Sequence, residues 1–324
     1  MRGRPGAREK GKRRMPERID VLGFGAVAVD DLLFLEEFPK PDGKYRVIRR
    51  ERHPGGLTGT ALVAAARLGS RCAYAGTLGS DELSNFIRES LSAEGVSVEH
   101  VVRQEGALPF RSTIVEDVRG KTRTILWDAS EAIGAHDSLP DERLIRRARV
   151  LFVDHVGLVG MLRAARIARQ AGIPVVGDFE ERQPAPFDEL VALTDHLILS
   201  RDFACVLTGS PNARAAAEAL WNGASRAAVV VTMGSEGAWF VSKERPGTAC
   251  FQPAFAVEVV DTNGCGDVFH GAYASCLVRG MSMSERVRFA AAAAAIKATC
   301  VGGQKGIPTR AEVERFLQAH GRSS

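Results

Sequence analysis

The chain has 324 residues, of which 45% are hydrophobic and 25% charged, a balance typical of an ordinary globular enzyme. Its length suits one large α/β domain, or one such domain with a small subdomain. No apolar run approaches the roughly 18 residues of a membrane span, so we expect no membrane partner.

The formal net charge of +4 is concentrated at the N-terminus, where residues 1–18 carry eight Arg or Lys and two acids. We interpret residues 1–18 as a disordered basic leader, with Met15 as an alternative native start. A nucleic-acid arm is the other interpretation, but no aromatic residues accompany the basic ones, so we expect no nucleic-acid partner. The absence of a secretory apolar core and of a Cys-x-x-Cys pair predicts reduced thiols in a cytoplasmic protein.

Predicted strands and helices alternate along the rest of the chain. The pattern gives a first apolar strand at 19–35, a polar ribbon at 40–53, a helix at 58–69, a strand at 72–81, a helix at 82–96 and a hairpin at 110–127. It continues with strands at 150–157, 173–180 and 226–234, with a strand that ends the segment 189–200, and with helices at 158–172, 264–280 and 284–300. This alternation predicts an α/β fold with a mostly parallel sheet between helices, in one domain of residues 19–320. Segments 40–53 and 110–127 fit no βαβ unit, so we expect them to form a small β lid.

The stretch DTNGCGDVFHG, residues 261–271, has two glycines flanking a cysteine and an acid directly after the second glycine. Such glycines let backbone N–H groups converge on an anion, as the free amides of a helix N-terminus do. An acid there is useful if it accepts a proton while the amides stabilise developing negative charge. We therefore predict Asp267 as a general base, beside an anion hole formed by the amides of Gly264, Cys265, Gly266 and Asp267. The alternative is an aspartate that only caps a helix.

Other stretches add ligand-binding candidates. Asp30 is predicted at the end of the first strand, where α/β sheets bind ligands. Gly55 and Gly56 precede a helix and allow close approach of a ligand to the backbone. After the strand at 226–234, hydroxyls and amides suited to phosphates or ribose come from Thr232, Gly234, Ser235 and Gly237.

At these motifs the chain resembles the PfkB, or ribokinase-like, carbohydrate kinases over about residues 19–317. The sequence PGGLTGTALVAAARLG, residues 54–69, is similar to the family's N-terminal signature, and DTNGCGDVFHG to its C-terminal one. Within the family, the motifs look most like those of sulfofructose kinases and ketohexokinases. The resemblance implies a three-layer α/β/α sandwich and ATP- and Mg²⁺-dependent phosphorylation of a sugar hydroxyl, with a homodimer formed through the lid.

The resemblance also implies roles for individual residues. Asp267 would be the base and Asp30 a ligand of sugar hydroxyls. Further substrate contacts would come from Lys44, Gly55, Gly56, Thr60 and His155. The nucleotide site would include Ser200, Thr232, Gly234, Ser235, Gly237 and Ala291. A monovalent cation such as K⁺ would bind at Asp261 and Asn263, the alternative being ordinary helix-end packing.

Several positions depart from the family pattern. Thr60 replaces an Asn that contacts the sugar, and Ser200 and Phe203 replace the Asn and Glu of an Asn-x-x-Glu element near the nucleotide. In the sulfonate-binding branch an Asn and an Arg align with Trp127 and His155, while Lys44 is retained. A sulfonated sugar is therefore not the expected substrate.

Two other functions remain open at this point. A nucleoside kinase shares both signatures, although only 6% of the chain is aromatic. A catalytically silent sugar-binding regulator is the second alternative, favoured by the lost Asn-x-x-Glu element and opposed by the retained Asp267. We interpret His270 as a packing residue. Asp154 and Asp178, at strand ends, either face the site or serve the fold.

Overall fold

The computed structural model describes residues 18–120, 122–221 and 225–321. Apart from Arg18, the predicted basic leader and Met15 lie outside these ranges. The described strands are β1 (Ile19–Gly23), β2 (Ala28–Leu35), β3 (Arg49–Gly55), β4 (Cys72–Tyr74), β5 (Thr77–Leu78), β6 (Val102–Arg103), β7 (Phe110–Asp117), β8 (Thr122–Asp128), β9 (Ala148–Val153), β10 (Val175–Asp178), β11 (His196–Ser200), β12 (Ala228–Thr232), β13 (Gly237–Ser242) and β14 (Arg245–Pro253). The described α-helices are α1 (Leu57–Arg67), α2 (Glu82–Ala93), α3 (Glu142–Ile145), α4 (Leu158–Gln170), α5 (Phe187–Leu193), α6 (Arg201–Thr208), α7 (Ala213–Leu220), α8 (Cys265–Val278), α9 (Met283–Ala298) and α10 (Arg310–Ala319).

The main sheet has eight strands in the order β14-β13-β12-β11-β10-β9-β1-β4. The strands from β12 to β4 run parallel, whereas β13 and β14 add an antiparallel hairpin at one edge. Parallel neighbours need crossover connections, and the intervening helices supply them. The predicted mostly parallel α/β sheet is confirmed.

Helices cover both faces of this sheet, which makes three layers. Because side chains alternate along a strand, Val230 packs on one face and Val229 and Val231 on the other. One core contains residues of α1, α2, α8 and α9, and the second contains residues of α4 to α7. Strands buried on both faces read as continuous apolar runs, which is why β9 and β12 were recognisable from sequence.

A second sheet of four strands, in the order β3-β2-β7-β8, lies outside the sandwich. Segments 40–53 and 110–127 contribute β3, β7 and β8 to it. The prediction of one strand at 19–35 is wrong, because the chain leaves the main sheet after Gly23 and re-enters as β2 of this second sheet. Asp30 therefore lies within β2 rather than at the end of the first main-sheet strand. None of the described helices is long and apolar enough to cross a membrane.

Candidate active site

A cleft of about 850 Å³ is lined by the second sheet on one side and by loops following β9 and β10 on the other. The start of α8 closes one end. These loops lie at the carboxyl ends of parallel strands, where α/β sheets bind their ligands. Seven of the predicted site residues line this cleft: Asp30, Gly56, His155, Asn263, Gly264, Gly266 and Asp267.

The backbone at Gly264 sets the start of α8. Gly264 is the N-cap residue with φ of 76°, a left-handed conformation that L side chains rarely adopt. A Cβ added there would lie 2.6 Å from the carbonyl oxygen of Gly303. The loop therefore requires glycine at this position, both for its conformation and for its packing against residues 300–303.

Free amides at this helix start point to an anion site. Among the described residues, no hydrogen-bond acceptor is assigned to the N–H groups of Gly264, Gly266 and Asp267, all three of which line the cleft. The Cys265 amide instead donates to the carbonyl oxygen of Thr262 at 3.2 Å, and Cys265 does not line the cleft. Three of the four predicted amides are thus available at the positive end of the helix dipole.

Acidic neighbours act on the carboxyl group of Asp267 in the first turn of α8. Burial raises the pKa of Asp267 well above its ordinary value, and the charges of Asp178 and Glu180 add to that rise. A carboxylate with a raised pKa is a better proton acceptor near neutral pH than an ordinary one. This electrostatic setting suits a general base and is unnecessary for a helix cap.

Asp178 and His270 lie behind this carboxyl group. Burial raises the pKa of Asp178, and its Oδ2 has no hydrogen-bond partner within the described part of the chain. The ring nitrogens of His270 lie 2.8 Å from the carbonyl oxygen of Gly266 and 3.0 Å from that of Ile198, so this side chain joins α8 to β11. His270 thus contacts backbone on both sides, as expected of a packing residue.

Asp30 enters the cleft from β2 of the second sheet. Burial raises its pKa, while a hydrogen bond from Ser112 on β7 opposes the rise. A Cβ at Gly55 would lie 2.7 Å from Asp30 Oδ2, so the glycine leaves room for this carboxylate. Asp30 of the second sheet and Asp267 of α8 therefore line one cleft.

A buried carboxylate, Asp154, fixes the crossing between the two sheets. Its Oδ2 accepts hydrogen bonds of 2.7 Å from the amide of Ala26 and from Thr58 Oγ1, and its Oδ1 accepts one of 2.9 Å from the amide of Val156. These contacts join the β1–β2 connection, the start of α1 and the loop that carries His155. Asp154 serves the fold at the edge of the cleft.

None of the predicted nucleotide residues lies in the cleft lining. Ser200 and Thr232 are neighbours in register at the carboxyl ends of β11 and β12, and Gly234 and Ser235 follow in an exposed turn that ends at Gly237. Ser200 Oγ accepts a hydrogen bond from the Phe203 amide at the start of α6. Ala291 lies half-buried on α9.

Three predicted substrate residues, Lys44, Gly55 and Thr60, lie outside the cleft lining. Lys44 is exposed in the segment between β2 and β3. Thr60 is buried in α1, where its Oγ1 accepts a hydrogen bond of 3.2 Å from Gln304 Nε2. A residue absent from the sequence prediction, Arg123 of β8, does line the cleft.

Asp261 connects several segments directly before the anion-hole loop. Its Oδ1 accepts hydrogen bonds from the Asn263 amide at 2.8 Å and from Arg123 Nη1 at 2.6 Å, and its Oδ2 accepts one from the Gly302 amide at 2.7 Å. Its carbonyl oxygen accepts one from Lys297 Nζ at 3.0 Å. Although burial opposes the effect, the amides of Asn263 and Gly302 hold the pKa of this carboxyl below its usual value.

Carboxylates are present for a Mg²⁺ ion, although no cluster of three His, Cys, Asp or Glu in the described ranges could hold a metal by itself. Mg²⁺ usually takes one or two protein carboxylates together with substrate phosphates. Asp178, whose Oδ2 lies 3.4 Å from His270 Nδ1, and the cleft-lining Glu180 supply such carboxylates. The residues present therefore fit a Mg²⁺ ion that is shared with a bound phosphate group.

Comparison with known proteins identifies the family. The model of the pfkB family carbohydrate kinases matches residues 19–310. The ribokinase of Haemophilus influenzae is 29% identical over 94% of this chain and 99% of its own length. Fructokinase-1 of Oryza sativa subsp. japonica is 28% identical over 82% of this chain and 88% of its own length. The chain belongs to the pfkB family, and it is a carbohydrate kinase.

Comparison with solved structures tests the expected fold. The structure of Arabidopsis thaliana ribokinase complexed with ribose and ATP superposes with a TM-score of 0.83 at 23% identity, covering 93% of this chain and 99% of that one. The expected ribokinase-like fold is confirmed.

Proposed function

We propose that this carbohydrate kinase transfers the γ-phosphoryl group of ATP to a hydroxyl of a small sugar, with Asp267 as general base. The observation that carries this proposal is one cleft in which Asp267 lies beside the free amides of Gly264 and Gly266, with Asp30 facing it from the second sheet. Proton acceptor, anion hole and polar ligand are the parts that phosphoryl transfer needs.

The proposed chemistry divides between two features of α8. The carboxylate of Asp267 takes the proton of the sugar hydroxyl as its oxygen attacks phosphorus. The amides of Gly264, Gly266 and Asp267 stabilise the negative charge on the transferring group, and the helix dipole adds to their effect. Mg²⁺, where bound, neutralises phosphate charge.

The nucleotide is proposed to bind at the carboxyl ends of β11 and β12, next to α8. Hydroxyls and amides are offered there by the exposed Ser235 and Gly234 and by the half-buried Thr232. An ion pair of 2.6 Å between Arg201 and Glu236 joins the start of α6 to the turn after β12. Ser200 is less suited to a direct contact because its hydroxyl caps α6.

Asp30 is proposed to hold sugar hydroxyls, and Asp30→Asn tests this role. A hydrogen bond to a charged group is worth about 1.5–3 kcal/mol, so we expect kcat/KM for the sugar to fall by roughly 10- to 150-fold, mainly through KM. The matched control is Asp31→Asn, since Asp31 pairs with Arg52 outside the cleft. Equal kinetic effects of the two substitutions would remove Asp30 from the site.

The pH dependence of kcat gives a separate test of the base. Because the pKa of Asp267 is raised, activity is complete above that pKa and is lost as the pH falls through it, at a higher pH than an ordinary aspartate would give. Glu180→Gln, assayed at saturating Mg²⁺ because Glu180 is also a candidate Mg²⁺ ligand, removes a negative neighbour and should move this acid limb to lower pH by up to about 0.7 unit, since an exposed charge pair contributes about 0–1 kcal/mol. Glu181→Gln is the control, and an acid limb that moves equally in both variants contradicts the assignment.

A nucleoside is the second candidate acceptor, favoured by the aromatic side chains of Phe110 and Trp127 in the cleft lining. A panel that measures ADP release with ribose, fructose, sulfofructose and adenosine separates the candidates. We expect a neutral sugar to give the highest kcat/KM, because Lys44 lies outside the cleft lining and His155 already faces Glu181 at 3.7 Å. Highest turnover with adenosine would establish the nucleoside alternative instead.

Assembly and location complete the proposal. On β8 the apolar side chain of Leu126 is 60% exposed and, unlike those of Ile125 and Trp127, does not line the cleft, which supports a homodimer of two copies paired through this sheet. A solution mass of one chain would contradict it. Six free cysteines support the cytoplasm as the location.

A further inference from the structure

A buried lysine lies directly behind the anion-hole loop. Lys297, in the last turn of α9, has no exposed surface, and its Nζ donates a hydrogen bond of 3.0 Å to the carbonyl oxygen of Asp261. An ammonium group is costly to bury unless negative charge or acceptors surround it. Burial lowers the pKa of Lys297, and the neighbouring Cys265 and the Asp261 carboxylate oppose that lowering.

The same position is where the family resemblance implies a monovalent cation. The oxygens of Asp261 already face donors: two backbone amides, the guanidinium of Arg123 and the ammonium of Lys297. The carbonyl oxygen of Ala298 accepts hydrogen bonds from the amides of Val260 and Asp261. A free cation would therefore meet two like charges and acceptors that are in use. The residues present do not fit K⁺ here.

We propose that the ammonium of Lys297 replaces this monovalent cation and holds the 261–264 loop in place, so that the kinase needs no K⁺. Lys297 is thus a positioning residue that acts through Asp261 on the amides of α8. The kinetic part of this inference rests on the proposed function.

The path from Lys297 to the anion hole is short. Asp261 accepts hydrogen bonds from the Asn263 amide through Oδ1 and from the Gly302 amide through Oδ2. Gly264, which follows Asn263 in the chain, packs against Gly303. Loss of the ammonium leaves the charge of Asp261 less well balanced and frees the loop on one side. Small displacements of groups that act in the transition state lower kcat more than they raise KM.

The test compares wild type and Lys297→Ala in KCl and in tetramethylammonium chloride at equal ionic strength. We expect the kcat of the wild type to be the same in both salts. We expect Lys297→Ala, which opens a space for an ion, to lose at least about 10-fold in kcat in tetramethylammonium chloride and to recover in KCl. Lys305→Ala is the matched control, because Lys305 is an exposed lysine of the adjoining loop, and its kcat should not depend on the salt.

A second readout does not need activity. A K⁺ ion bound only by the folded variant raises its thermal unfolding midpoint, so KCl should stabilise Lys297→Ala and leave wild type unchanged. If neither protein phosphorylates a sugar, the proposed function fails while this measurement still tests Lys297.

Several results would overturn the inference. Wild type that requires K⁺, or a Lys297→Ala variant that keeps full activity without K⁺, would each do so. A folded Lys297→Ala whose kcat and unfolding midpoint ignore K⁺ would show a structural lysine only. If Lys297→Ala does not fold, Lys297→Met takes its place in the test, because methionine keeps the buried volume. We expect it to lose kcat in both salts with little change in KM, and full activity would overturn the inference.

Discussion

Replacing Asp267 with asparagine is expected to lower kcat by roughly 10²–10⁴, the range for loss of a general base. The amide keeps the size and hydrogen-bonding shape of the side chain but cannot accept the proton of the attacking hydroxyl. Burial and the neighbouring Asp178 and Glu180 destabilise a charge at this position, so the neutral amide should leave the free energy of unfolding unchanged or higher. Steady-state kinetics together with thermal unfolding measure both effects.

The control is an aspartate in the first turn of another helix. Asp188 of α5 is 71% exposed, pairs with Arg182 and does not line the cleft. Asp188→Asn should leave kcat unchanged. Near wild-type turnover of Asp267→Asn would reduce Asp267 to a helix-capping residue and remove the proposed base.

Replacing Gly264 with alanine is expected to lower kcat by roughly 10²–10³, the range for loss of one anion-hole donor. The positive φ of 76° disfavours alanine, and its Cβ would lie 2.6 Å from the Gly303 carbonyl oxygen, so the loop must move. That movement turns the amides of α8 away from the cleft. Kinetics with saturating ATP and sugar measure the loss.

Gly280, which follows α8, separates conformational strain from displacement of the anion hole. Its φ is 71°, but a Cβ there would meet nothing within 4 Å. Gly280→Ala should therefore lower the free energy of unfolding by about 1–2 kcal/mol, the cost of a left-handed alanine, without changing kcat. If Gly280→Ala loses as much activity as Gly264→Ala, general destabilisation explains both results.

The layered fold follows from local patterns, but the crossing between the two sheets does not. Residues 19–35 read as one strand because their apolar character continues past the turn at 23–27. The chain changes sheets there because Asp154, which is 128 residues from Ala26, accepts its amide hydrogen bond. A contact between residues so far apart in the chain produces no periodic pattern in the sequence.

The hairpin of β13 and β14 was also missed. Its second strand is largely exposed and contains Pro246 and Gly247, so it lacks the apolar alternation by which strands are recognised. Antiparallel pairing with β13, the strand that follows the buried β12 in the chain, holds β14 at the sheet edge.

Candidate site residues also divide into those recognisable from a local pattern and those that depend on contacts between distant parts of the chain. Asp267 and Gly264 were found because glycines, an acid and a helix start lie within a few residues of one another. Arg123 and Lys297 were missed because they act on Asp261 from positions 138 and 36 residues away in the chain. An isolated arginine in a hairpin and an isolated lysine in an alanine-rich helix carry no signal of their own.

The most direct test of the central claim is sugar-dependent conversion of ATP to ADP by wild type and Asp267→Asn, with the phosphorylated product identified by mass spectrometry. We expect one phosphorylated sugar per ADP for wild type, and a rate lower by roughly 10²–10⁴-fold for the variant. ADP formation that no sugar or nucleoside stimulates, or a phosphorylated product formed equally fast by Asp267→Asn, would contradict it.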